Sequence, residues 1–228
     1  MLLLLQLSSG VLSAQQAGSP DNAQPQENSQ QAVAPYDLKG DFLGMTLELF
    51  KTKHRRLIDY TSFGQRTRIE APICSDTNPR DRNLAGDPGN PTNGLVNCKL
   101  GDSREFDEPG WQPDTIANAP TTDLVFKFVD GLLYEINASF GSFKFEGVKA
   151  AFILKFGKPQ SSEVASYQNR FGAKYEGEVL FWKNGVTSLI LAELSGELDT
   201  SRVTFTHDAL SRRAKDRRNP KIKPGPDL

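Results

Sequence analysis

Leu124, Phe126 and Phe128 alternate with other residues, and Leu132, Tyr134 and Ile136 do the same on the far side of Asp130-Gly131. Nothing else in the chain limits its fold so strongly. A period of two puts one set of side chains on one face of a strand, and Asp-Gly is a tight hairpin turn. The segment must therefore be an antiparallel hairpin with an apolar face that something else covers. A two-residue turn would set Phe126 against Glu135 and Leu124 against Asn137. A three-residue turn, Val129-Asp130-Gly131 with Gly131 left-handed, sets Phe128 against Leu132, Phe126 against Tyr134 and Leu124 against Ile136. Only the second keeps one continuous apolar face, so it is the expected register.

Helical patterns supply the cover. Thr46 is a good N-cap, Glu48 follows in the first turn, and Leu47, Phe50 and His54 recur at helical spacing, which predicts a helix over Thr46–His54. Val148, Phe152 and Phe156 recur every four residues with Phe145 and Ile153 beside them, predicting a helix over Phe145–Phe156. Gly157 caps it and Pro159 stops it. Strands follow near Glu178–Trp182 and Val186–Leu191 around Lys183-Asn184-Gly185, with Trp182 and Leu180 on the core face. Arg202–Phe205 adds a last strand and Asp208–Arg218 a basic helix. The expected class is α+β: an antiparallel sheet of about five strands built from hairpins, with helices packed on one face.

The rest of the chain is less regular. Leu2–Leu7 followed by Val11-Leu12-Ser13-Ala14 reads as an export leader over residues 1–14. Residues 15–35 are polar and read as a disordered linker, and the Lys- and Pro-rich end, 219–228, reads as a disordered basic tail. Between them, 36–218 fits one domain. No stretch after the leader has membrane-spanning length. Residues 70–120 are broken by seven prolines, with Gly86, Gly89, Gly94 and Gly110 adding turns, so they read as a long loop. In the oxidising compartment that a leader implies, Cys74 and Cys98 are expected to form a disulfide that clamps its most polar part.

Three short motifs, Leu43-Gly44-Met45-Thr46, Phe128-Val129-Asp130-Gly131-Leu132-Leu133 and Phe156-Gly157-Lys158-Pro159, together resemble the SmpA/OmlA-like and beta-lactamase-inhibitor-protein-like envelope domains of bacteria. The resemblance covers about 41–194. It implies a small antiparallel sheet, a periplasmic or extracellular location, and binding to another protein rather than catalysis. It supplies no functional residue.

Residues that carry chemistry are sparse. His54 and His207 are far apart and read as helix-end or surface histidines. Two His and two Cys have no local ligand pair for zinc. Asp81–Gly86 has calcium-ligand oxygens at its first and third positions but Ala85 at the fifth, so it reads as a polar turn. Asn137-Ala138-Ser139 matches a glycosylation acceptor but sits in an expected strand. No cofactor and no metal is expected. A net charge of −1 gives no support to nucleic-acid binding by the whole chain. Trp111, between two prolines, and the basic residues Arg212, Arg213, Arg217 and Arg218 are the candidate partner contacts, the arginines through weak contact with an anionic surface. The reading is an exported, non-catalytic binding protein whose partner is another envelope or extracellular macromolecule. Its alternative is a small secreted hydrolase working through a carboxylate pair.

Overall fold

In the computed structural model of the chain, the residues described are 33–62, 65–77, 91–101, 114–168, 172–195 and 198–219. The stretch read as a leader, the expected linker up to residue 32, Asp81–Gly86, Trp111 and the expected tail beyond Asn219 lie outside them. The chain runs β1 (Asp37–Leu38), β2 (Asp41–Phe42), α1 (Leu47–His54), β3 (Arg56–Ser62), β4 (Gln65–Ala71), β5 (Ile73–Cys74), β6 (Leu95–Lys99), β7 (Thr115–Ile116), β8 (Ala119–Val129) and β9 (Leu132–Gly141). It continues α2 (Phe145–Phe156), β10 (Ser161–Gln168), β11 (Lys174–Lys183), β12 (Thr187–Ala192), β13 (Thr200–His207) and α3 (Asp208–Arg218). α2 and α3 match their expected bounds, and Thr46 caps α1 through a bond from Leu49 N–H to its hydroxyl.

The main sheet is antiparallel, in the order β10-β11-β12-β13-β9-β8-β6-β5, with β7 added beside β8. Nine strands replace the expected five or so. The miscount has two physical causes. β5, β6 and β7 lie inside the proline-rich stretch read as loop. β10 is an edge strand exposed along most of its length, so it carries no apolar alternation to betray it.

One face of the sheet holds the large core. Phe50 of α1 packs on Phe126 and Phe128 with ring centroids 4.6 and 5.2 Å apart. Phe152 of α2 packs on Trp182 and Phe205 at 6.3 and 6.0 Å. Trp182 is only 1% exposed, as its alternation with Leu180 predicts, and its indole N–H donates to Gly157 O. The third helix corrects the expectation that all helices share a face. Leu210 and Ala214 of α3 pack on Leu95, Val129 and Tyr134 in a separate cluster. Val129 alternates with Phe128 of the large core, so α3 covers the opposite face.

The β8–β9 hairpin departs from the expected register. Val129 pairs with Leu132 and Phe128 with Leu133, so the turn is the two residues Asp130-Gly131. Both have positive φ, 49° and 76°, the signature of a type I′ turn. Lys127 then pairs with Glu135, which leaves Tyr134 as the extra residue of a bulge. The bulge shifts the phase of β9. Leu133 before it and Ile136, Ala138 and Phe140 after it all reach the large core, while Tyr134 turns to α3. A single apolar face is thus kept by a bulge within the strand.

The first two resemblance motifs meet in space. Gly44 N–H donates to Leu133 O at 2.7 Å, Leu133 N–H to Met45 O at 2.9 Å, and Leu47 N–H to Gly131 O at 2.8 Å. The approach to α1 therefore runs along the start of β9.

Candidate functional site

β1 and β2 form a minimal hairpin around Lys39-Gly40, which places Asp41 beneath the C-terminal end of α1. Asp41 is 3% exposed, and one of its oxygens, Oδ1, takes Lys53 Nζ at 2.6 Å and His54 Nε2 at 2.9 Å. A carboxylate removed from water needs such partners. The His54 ring stacks on Phe50, 4.6 Å between centroids, and its contact to Asp41 requires the proton on Nε2. Lys53 and His54 lie in the last turn of α1, where cations suit the helix dipole.

This cluster forms part of the wall of a cavity of about 100 Å³. Its floor is Leu38, Leu100, Leu124 and Phe126, all buried. Its mouth carries Lys39 and Arg56, both exposed, with Asp114 and Thr115 half-buried beside them. Lys39 Nζ donates to Thr115 Oγ1 at 2.9 Å, and Arg56 Nη2 to Leu100 O at 3.1 Å. The arrangement can hold a small molecule and offer it charge and protons. Its volume is well below the roughly 300–1,000 Å³ of ordinary ligand pockets.

His54 was legible as a helix-end histidine; Asp41, its partner, was not, because the pair is assembled across a turn and a helix with no motif between them. His207 ends β13 and precedes α3, also as a helix-end residue, and its Nδ1 is buried without a partner among the described residues.

The basic residues of α3 are partly committed inside the molecule. Arg217 and Arg213 reach Asp130 of the β8–β9 turn at 3.0 and 3.7 Å, and Arg218 donates to the Tyr134 hydroxyl. Arg212 is exposed. Arg213 and Arg217 also line an open cleft of about 560 Å³ with Asp130, Asp216, Thr92 and Asn93. Trp111 lies outside the described residues.

Cys74 and Cys98 are bonded, as expected, but the bond is part of the sheet. The two residues are direct cross-strand partners of β5 and β6, 1% and 0% exposed, and both belong to the large core. Ser75 N–H to Asn97 O at 2.9 Å continues the pairing past the bridge. The disulfide therefore ties two strands together as well as closing the loop between them. It also occupies both thiols, which leaves no Cys for a metal; among the described residues no group of three or more His, Cys, Asp or Glu is placed to hold one. No described helix is long and apolar enough to cross a membrane. No protein-family model matches this chain, and no curated protein or solved structure does either.

Proposed function

We propose that this is an exported, non-catalytic protein that binds another envelope or extracellular macromolecule, and that the partner adds a strand to β10. The observation that carries the reading is the free edge of β10. Its eight residues pair in unbroken register with β11, from Ser161↔Phe181 to Gln168↔Lys174, and no described strand pairs with the other side. Open edges are usually blunted by Lys, Pro, a bulge or brevity. β10 has no Lys, no Pro and no bulge, carries one charge at Glu163, and leaves Val164 65% exposed. Such an edge offers a row of unpaired backbone groups to an extended peptide. The buried disulfide and the leader support export, and the resemblance to SmpA/OmlA-like domains supports a protein partner in the envelope.

The hydrolase reading has one observation of its own: Asp41 and Asp114 line the same cavity. Asp41 is already engaged by Lys53 and His54, and the cavity is too small for a sugar chain, so binding stands ahead of it.

The test is a photo-reactive side chain at Val164 in the native host, with a second at the exposed Thr52 of α1 as control. The proposal expects discrete protein adducts from Val164 alone, on material whose N-terminus begins near Ala14 or Gln15. Adducts equal at both positions, none at Val164, or an intact Met1 would contradict it.

A further inference from the structure

We propose that the cavity beneath the β1–β2 turn binds a small carboxylic acid, its carboxylate held at the mouth by Lys39 and Arg56 and its apolar end on Leu124 and Phe126. This goes beyond the β10 reading and does not depend on it.

Size comes first. An apolar cavity of about 150 Å³ holds benzene. The ≈ 100 Å³ here therefore suits about four non-hydrogen atoms, the apolar tail of a short acid whose carboxylate stays at the mouth. Charge selects its class. Four charged residues besides His54 line the cavity: Lys39, Arg56, Asp41 and Asp114. Asp41 is already matched by Lys53 at 2.6 Å and bonded to His54. What remains for a ligand is two cations against the single carboxylate of Asp114, a surplus that favours an anion. The guanidinium of Arg56 has further N–H donors beyond the one given to Leu100 O, in the planar fork that suits a carboxylate.

Lys39 is the strongest pointer. It holds φ at 54° and Gly40 holds φ at 78°, the pattern of a type I′ turn. Asn, Asp or Gly fills the first of these positions at less conformational cost than Lys. Its long side chain is nonetheless laid across to Thr115 Oγ1 at 2.9 Å, at the cavity mouth, which also gives up rotamer freedom. A turn chosen for stability alone would carry Asn here. A lysine at this place is explained if its ammonium serves a ligand.

The test titrates the whole folded protein at neutral pH with acetate, butanoate and octanoate. Butylamine serves as a probe of the same shape and opposite charge, and the His54 ring protons are followed by NMR. The proposal expects saturable binding that is tightest for butanoate and absent for butylamine. In Lys39→Asn it expects affinity to fall by about tenfold or more while the melting temperature holds or rises. Arg56→Gln should weaken butanoate as well. Three results would overturn the proposal. One is that no carboxylate saturates the site. Another is that butylamine binds as well as butanoate. The third is that Lys39→Asn melts lower and binds butanoate unchanged, which would make Lys39 a tether for the turn.

Discussion

Asp37 shows how much one side chain at the start of the domain carries. Burial alone would raise its pKa. The Gly40 N–H and the ammonium of Lys155 bonded to its carboxylate, with the charges of Lys155 and Lys53, outweigh that and hold it below the usual 3.8. A folded-state value below the unfolded one means that ionised Asp37 stabilises the fold at every pH above about 3.8, and that this contribution fades as pH falls through the folded value. Asp37→Asn should therefore melt lower than the native chain at pH 7, and the gap should close below pH 4. A gap that stays constant down to pH 2 would mean that the carboxylate is not what links β1 to α2. Such ties were not legible in advance. Asp37 with Lys155, and Asp41 with Lys53 and His54, each join residues brought together by the fold, and a lone Asp in a polar stretch gives no sign of its partner. Thr46 and Trp182 were legible, because a cap and an alternating core position are decided within a few residues.

At the scale of elements, the β8–β9 hairpin and α3 depend on the same turn. Asp130 takes up a left-handed φ, pairs with Arg217, and so brings the C-terminal part of α3 against the turn that β8 and β9 share. Gly131 has φ 76° and open space where a Cβ would stand, so any side chain there meets only a backbone penalty. Gly131→Val should cost about 1–2 kcal/mol or more, valine being β-branched. A denaturant titration reads the loss directly, and a midpoint within error of the native chain would mean that the turn does not need a left-handed residue. The hairpin itself was readable from alternation and Asp-Gly. Its register was not, because a bulge at Tyr134 and a longer turn both keep one apolar face. Only the demand of α3 for Tyr134 and Val129 on the far face decides between them, and that is a tertiary requirement. α2 was legible to the residue because its apolar stripe, its glycine cap and Pro159 all agree.

At the scale of the molecule, the sheet has two unlike ends. At one, β5 is two residues long and stapled into the core by Cys74–Cys98, so that edge offers little to a partner. At the other, β10 is long and regular, and no described strand pairs with its outer side. The class, α+β with hairpins under helices, could be read from the pattern. The size of the sheet could not, because one of its edges hides among prolines and the other has no apolar face. That asymmetry is the basis for reading the protein as a strand acceptor, and amide hydrogen exchange along β10 tests it most directly. In the isolated protein, alternate amides of Ser161–Gln168 should exchange fast, because they face the free edge. On addition of a native envelope fraction that supplies the partner, that same alternate set should become protected while β11–β13 keep their pattern. Unchanged exchange along β10, with new protection confined to α3 or to the cavity beneath β1–β2, would contradict the account.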